Sequence, residues 1–558
     1  MIIDDNRDTI VQFVSELIQE CRATVDIRRQ RTKYWRDLFY TGKVDGIPVR
    51  HNKCFPHINK LASFLFSPAD ARFSIEVEGD ETEDTNRICE SGARIFQRKF
   101  SRANCGLIFS RAVKLSLYEE SCFTKMVWSS RGFQPFVIPQ RFLGVLREDI
   151  DDLDQQEAFT HSYYMTPAQF KRLLGNHPDK EEILRKVKGS LTTPTTDLIT
   201  DSYFHEMVIG GLQPISAAGT ATGSGQAAVF GIPPSPQLSP NVLQDLIRVD
   251  DLWVWDDDRN DYTTFRFVEP DILIEGRLRR RNLSDIPGMQ PFTKVCPNGV
   301  EGYFWGRSEL STLTGLQGLL NARIQDADEL IARQARPPHA ITGATGVTQE
   351  KVRALLSRGG MFVDDNPATQ VTPLPPVVPT QLVKYIEMIE NWFEEESGFP
   401  PTLSGYGDTG VRSNAQAQTL VRASSPPLRD RALLIESQFS EYATKALKMQ
   451  RAKDAKAYRT DDDTRFLLSQ IPDEATVFVD SHSASPAFSV DNVNMAFALR
   501  KADAIDSEDL IEMVQPPRTD DLIQKAKKRE AQRQLNQEKM IEAAKTNPEI
   551  AKKVMKAA

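Results

Sequence analysis

The chain has no apolar run of about 18 residues, so no transmembrane helix is expected. The first residues also lack the basic character of a signal peptide, because Asp4, Asp5 and Asp8 stand against Arg7 alone. We therefore expect a protein of the cytosol with no membrane partner.

Cysteine is scarce, with six residues in a chain of 558, and no two of them form a CxxC pair. A buried thiol behaves as a small hydrophobic group, and the cytosol keeps thiols reduced. The sequence therefore predicts free thiols rather than disulfides at Cys21, Cys54, Cys89, Cys105, Cys122 and Cys296.

An excess of positive charge is also absent, because the formal net charge is −8. A tight, sequence-independent DNA-binding protein would carry a basic balance. The composition therefore argues against strong, sequence-independent binding of phosphates.

No complete catalytic or metal-binding motif is found. The glycine-rich run at 219–225 lacks the Gly-Lys-Ser/Thr ending of a phosphate-binding loop. The acidic run that begins at Asp256 has Asp261 and Phe267 where a calcium loop needs Gly and Glu, so a β-hairpin turn is expected there. We predict no catalytic residue, no metal and no cofactor.

A long amphipathic helix is predicted from Ser308 to Arg336, and the rest of the chain is arranged around it. Ser308 is a suitable N-cap, Glu309 suits the positive end of the helix dipole, and the two prolines after Arg336 end the helix. Apolar residues recur every three or four positions: Leu310, Leu313, Leu316, Leu319, Leu320, Ile324, Ala327, Leu330 and Ile331.

Two further helices follow. The first runs from Thr380 to about Ser397, with one apolar face (Leu382, Ile386, Ile389, Phe393) and glutamates on its other faces (Glu387, Glu390, Glu394, Glu395, Glu396). The second is predicted from Ser413 to about Asp454, with a kink or break at Pro426-Pro427.

This order of long helix, small mixed module, return helix, glycine-rich loop and kinked helix resembles the portal protein of tailed double-stranded DNA bacteriophages. The resemblance covers about Tyr303 to Gln450 and implies an α+β, predominantly helical fold that assembles into a ring with a central channel. It divides the chain into a wing (1–302, with a loop at about 210–240), a first stem helix (303–337), a clip (338–379), a second stem helix (380–398), a tunnel loop (399–412), a kinked wing helix (413–454), and a wing end with a helical crown (455–558).

The resemblance also implies partners and a location. They are a homo-oligomeric ring of about twelve copies, double-stranded DNA in the channel, the terminase large subunit, the major capsid and scaffold proteins, and head-to-tail adaptors. The protein would act at one capsid vertex of the virion and be assembled in the host cytoplasm. Twelve helices about 10 Å wide enclose a bore of about 28 Å, which accommodates a B-form duplex.

Candidate contact residues lie in the loop and the clip. Tyr406 and Arg412 are the large polar groups of the tunnel loop, where they would face DNA, although Tyr406 could instead pack on the neighbouring wing. The basic residues at the clip would contact the motor or DNA, although they could also form a solvated helix face: Arg336, Lys351, Arg353 and Arg358.

Two other functions are compatible with the sequence. A different ring-forming protein, such as a tail adaptor or scaffold ring, would share the helical pattern, but such adaptors are usually shorter. A metal-dependent nuclease would need acidic residues that converge on one ion, whereas Glu394, Glu395 and Glu396 are consecutive on a helix and point in different directions.

Overall fold

The computed structural model describes residues 7–44, 51–68, 73–77, 82–129, 132–165, 167–175, 177, 179–189, 247–268, 272–275, 284, 286–335, 339–342, 370–373, 380–396, 426–459, 465–479, 496–502, 505 and 510–511. Within these ranges helices and mostly antiparallel sheets are combined, and the predicted α+β class is confirmed.

The described helices include the two long helices predicted at 308–336 and 380–397. Their bounds are α1 Arg7–Asp26, α2 Arg29–Thr41, α3 Cys54–Leu65, α4 Glu83–Arg102, α5 Cys105–Glu119, α6 Pro167–Leu174, α7 Lys180–Gly189, α8 Leu310–Ala335, α9 Thr380–Glu396 and α10 Pro426–Lys453.

The strands are short and pair antiparallel. Their bounds are β1 Phe73–Val77, β2 Cys122–Ser129, β3 Gly132–Pro139, β4 Leu143–Val145, β5 Ala158–Met165, β6 Ile247–Asp256, β7 Asp261–Val268, β8 Ile272–Glu275, β9 Phe292–Val295, β10 His339–Thr342, β11 Gln370–Pro373, β12 Ala457–Arg459, β13 Arg465–Leu467 and β14 Ala475–Val479.

A five-stranded sheet of order β4-β5-β6-β7-β8 is built from strands between residues 143 and 275. The hairpin predicted around Asp256–Asp261 is its β6–β7 turn. Helix α1 lays its apolar face on this sheet, where Ile10, Val14 and Leu17 share a core with Leu252 and Phe265. The backbone of Gly144 in β4 lies against the carbonyl of Cys21, so the close approach of α1 requires a residue without a side chain.

Helix α10 is the centre of a second, larger core. Phe439 and Tyr442 pack among the aromatic rings of Phe66, Phe100 and Phe109, which come from three other parts of the chain. Strand β1 pairs with β14, about four hundred residues later, and a three-stranded sheet β3-β2-β9 joins the same core. Helix α10 therefore ties the C-terminal part of the chain to its beginning.

The structure corrects several sequence-based expectations. The sequence predicts a helix after Pro56, but α3 begins earlier, at Cys54, because proline is tolerated in the first turn. The proline-rich run from Val371 to Pro379 predicts an extended, polyproline-like segment, and this is wrong at its start, since Gln370–Pro373 is a strand paired with β10. Helix α7, which buries Ile183 and Val187, was not predicted.

Some expectations concern other parts of the chain. Helix α10 is described from Pro426, and the predicted portion 413–425 lies outside the described residues. The same holds for the loop predicted at 210–240 and for the helices that the sequence predicts at 348–356 in the clip and at about 519–545. All six cysteines are buried free thiols, as predicted, and burial raises the pKa of Cys21 and Cys105 to about 12.

Candidate assembly surface on the paired rod helices

Helix α8 begins at a buried cap. The backbone N–H of Leu310 donates to the Ser308 hydroxyl at 3.2 Å, and this hydroxyl donates to the carbonyl of Tyr118 at 2.8 Å. The predicted N-cap is therefore confirmed, and the same side chain fixes the start of α8 to the end of α5.

Glu309 is buried beside this cap and connects three parts of the fold. Its carboxylate accepts hydrogen bonds from Arg431 of α10 and Asn298, each at 3.0 Å. His57 of α3 places Nε2 at 3.7 Å from the carboxylate, which is too long for a normal hydrogen bond. The sequence predicted only a favourable interaction with the helix dipole.

Burial raises the pKa of Glu309, but the neighbouring His57, Arg431 and Asn298 outweigh burial and hold the pKa below its ordinary value. The carboxylate is therefore charged at neutral pH, in a site where its charge is matched by cationic and polar donors.

Two amides on the buried face of α8 extend this anchor. Gln317 donates to the carbonyl of His51 at 2.8 Å and accepts from the backbone N–H of Lys53 at 3.1 Å. Asn321 donates to the carbonyl of Gly42 at 2.8 Å. Sequence analysis missed both, although two amides four residues apart on an otherwise apolar face are a recognisable signal.

Helix α9 packs against α8 in the opposite direction. Its C-terminal residues Trp392, Glu395 and Glu396 line an open groove with the N-terminal half of α8, from Thr312 to Leu319. Phe393 is buried edge-on to the His57 ring, and Glu390 pairs with Lys53 at 3.0 Å. The base of α9 is thus held by α3 as well as by α8.

Helices α8 and α9, the two rods, both carry exposed apolar side chains as well as buried ones. On α8, Leu310, Leu313 and Leu320 are fully buried, whereas Ile331 is 60% exposed. On α9, Ile389 and Phe393 are buried, whereas Val383, Met388 and Trp392 are 57%, 40% and 37% exposed. The described part of the chain therefore leaves apolar side chains of both rods open to solvent.

Among the described residues, no group of three or more His, Cys, Asp or Glu side chains is placed to hold a metal ion. None of the helices in these ranges combines the length with the apolar composition of a bilayer-spanning segment.

The predicted contact residues Arg336, Lys351, Arg353, Arg358, Tyr406 and Arg412 all lie outside the described residues. The structure therefore tests neither their positions nor their proximity, and their roles stay predictions. The functional features that the described residues do place are the polar anchor at Glu309 and the exposed faces of α8 and α9.

Comparison with known proteins adds little. No family model matches the chain, and no curated protein matches it. Among solved structures, the chain is similar to one described as "Neck of empty GTA particle computed with C6 symmetry", with 11% sequence identity, a TM-score of 0.40, and coverage of 87% of this chain and 94% of that chain. A similarity of this size carries no conclusion about function.

Proposed function

We propose that the chain is the portal protein of a tailed double-stranded DNA bacteriophage. Copies would form a ring at one capsid vertex, conduct DNA during packaging and ejection, bind the terminase motor and head-to-tail adaptors, and nucleate assembly of the procapsid. Two features support this proposal. They are the α+β fold with two long paired helices, α8 and α9, and the order of elements in the sequence.

The observation that carries the proposal is the exposure of Ile331, Val383, Met388 and Trp392 on the rods. Fully burying an exposed apolar side chain of this size contributes about 1.5–3 kcal/mol. These four side chains are already partly covered, so each would contribute part of that amount on association, and together they favour it. A head-to-tail contact repeated around an axis buries such surfaces in every copy and leaves a channel in the middle.

Electron microscopy of the purified full chain tests the ring. We expect flanged rings with a central hole, and native mass spectrometry should give a single closed stoichiometry near twelve. A chain that stays monomeric at all concentrations and salt conditions would contradict the ring and the conduit together.

Within the ring, we place Tyr406 and Arg412 against DNA, and Arg336, Lys351, Arg353 and Arg358 at the motor or the DNA exit. The test is Arg412→Glu, for which we expect particles with a reduced DNA content. Lys171→Glu on α6 is the matched control, because it reverses an exposed charge on the wing. Equal DNA content in both variants would remove the assigned role of Arg412.

We also propose that the chain has no catalytic activity. The alternative function is that of a metal-dependent nuclease, and DNA cleavage distinguishes the two. Incubation of the purified chain with duplex DNA and Mg²⁺ or Mn²⁺ should leave the DNA intact. Cleavage that co-purifies with the ring and is lost on chelation would favour the enzyme.

A further inference from the structure

A patch of basic and aromatic side chains covers the surface where α2, α3 and α5 meet. Leu107, Arg111 and Lys114 follow one another at helical spacing on α5, so they lie on one face. Phe55 of α3 lies near the Lys114 ammonium, and the ring of Tyr40 of α2 contacts Tyr118, one turn after Lys114 on α5. We name these five residues the basic face.

The basic face is open and its charge is not neutralised locally. Leu107, Phe55 and Tyr40 are 54%, 42% and 41% exposed. The Lys114 ammonium lies 5.6 Å and 5.7 Å from the ring centres of Phe39 and Phe55, and partial burial lowers its pKa. Neither Arg111 nor Lys114 forms an ion pair with a carboxylate among the described residues.

Helix α9 presents the complementary surface. It carries five glutamates and one lysine, a net charge of −4. Glu387 and Glu395 are exposed next to the exposed apolar side chains of Met388 and Trp392. We name these four residues the acidic face.

The two faces lie on different sides of α3. Lys53 and His57, one turn apart, both contact α9 through Glu390 and Phe393. Phe55 lies between them in sequence and is therefore rotated by about 200° from each, away from α9. A single copy cannot bring the two faces together across α3, whereas two copies placed side by side can.

We propose that the acidic face of one copy docks on the basic face of the next copy. This inference rests on the ring assembly proposed above and names the contact that closes it. The contact joins two different surfaces of the same chain, which is the head-to-tail arrangement that generates rings. Trp392 and Met388 pack near Phe55, Tyr40 and Leu107, and Arg111 and Lys114 face Glu387 and Glu395.

The apolar and the charged side chains have different roles in this contact. The apolar side chains supply affinity by leaving water, and the opposite charges select the register and exclude a like-with-like contact between two acidic faces. Occupation by a second copy also gives the uncompensated cations of the basic face carboxylate partners without a further protein.

Charge reversal in the full-length chain tests the contact. We expect Arg111→Glu with Lys114→Glu to raise the protein concentration at half-assembly about tenfold or more. Glu387→Lys with Glu395→Lys should do the same. The chain that carries all four substitutions should recover assembly, because each contact is again complementary. Arg185→Glu on α7 is the control for charge reversal elsewhere, and the thermal unfolding midpoint of each variant reports whether it folds.

The outcomes separate this contact from the ring itself. Rings that form normally in both paired variants would overturn the contact and leave the proposed function standing. A native chain that never assembles would overturn both. Rings unaffected by reversal, together with oligonucleotide binding that is lost in the Arg111→Glu, Lys114→Glu chain, would assign the basic face to nucleic acid instead.

Discussion

Glu309 attaches the start of α8 to α10 and to Asn298 through one carboxylate. Replacing it by glutamine keeps the volume but removes the charge that faces Arg431, so Glu309→Gln should lower the free energy of unfolding by about 1.5–3 kcal/mol. Glu329→Gln is the control, since Glu329 is exposed and pairs with Arg333 at 3.9 Å one turn away, and it should change stability by less than about 0.5 kcal/mol. Urea denaturation at low protein concentration measures both, and equal effects would remove the anchoring role.

The same carboxylate predicts a pH dependence. Its pKa is lower in the folded chain than the ordinary value of 4.5, so the stabilisation that it provides is fully present above that value and is lost as the pH falls through the folded pKa. The stability difference between the native chain and Glu309→Gln should therefore be fully present just above pH 4.5 and shrink below it. A difference that persists unchanged to pH 3 would show that the charge is not the cause.

Gly306 is required by both its backbone and its surroundings. Its φ is +73°, and an added Cβ would overlap the Cys296 sulfur and lie 2.8 Å from the carbonyl oxygen of Asn298. Gly302 has a similar φ of +68° with open space around it. We expect Gly306→Ala to cost about 2–4 kcal/mol and Gly302→Ala about 1 kcal/mol, measured as the shift in free energy of unfolding. Equal costs would mean that the local packing around Gly306 relaxes.

Single residues show how far the sequence could predict the site. Ser308 and Glu309 were placed at the start of a helix because capping is local in sequence. Arg431 and Asn298 were not connected with them, because their contact with Glu309 depends on how α10 and the 297–300 segment pack in three dimensions. The six basic and aromatic contact residues predicted for the clip and tunnel loop lie outside the described residues and remain untested.

At the scale of elements, long periodic segments were predicted best. The predicted helix 308–336 is found as Leu310–Ala335, and the helix 380–397 as Thr380–Glu396, because a continuous apolar stripe and flanking caps or prolines define both. Strand β11 was missed because the four prolines at 373, 375, 376 and 379 favour a polyproline-like segment, while its pairing with β10 is non-local. Helix α7 was missed because only Ile183, Leu184 and Val187 mark its apolar side among seven charged or glycine residues.

Exposed and buried apolar side chains of α8 and α9 should respond differently to substitution. Ile331→Gln together with Val383→Gln should raise the concentration at half-assembly about tenfold or more, since both side chains would be buried between copies in the proposed ring, while monomer stability changes by less than about 0.5 kcal/mol. Leu320→Gln should instead lower the free energy of unfolding by about 2–5 kcal/mol, because Leu320 is fully buried. Sedimentation velocity and urea denaturation distinguish the two effects, and unchanged assembly in the first variant would mean that the outer rod faces are not contacts.

At the scale of the whole molecule, two electrostatic effects oppose each other. Each copy carries a net charge of −8, so copies repel one another over long distances, whereas the acidic and basic faces attract at short range. The Debye length falls from about 30 Å at 0.01 M salt to about 8 Å at 0.15 M and about 3 Å at 1 M. Repulsion between whole subunits is therefore largely screened by 0.15 M, while the close charge pairs are screened mainly above it.

Assembly should consequently be strongest at an intermediate sodium chloride concentration. We expect the concentration at half-assembly to fall between 0.01 and about 0.15 M salt and to rise again toward 1 M. Replacing Arg111, Lys114, Glu387 and Glu395 by glutamine leaves the net charge at −8, because two charges of each sign are removed. In that chain, assembly should still strengthen between 0.01 and about 0.15 M salt, but it should not weaken toward 1 M. Light scattering across a salt series measures assembly at both low and high salt. A native chain whose assembly strengthens steadily up to 1 M would show that apolar contacts alone hold the ring.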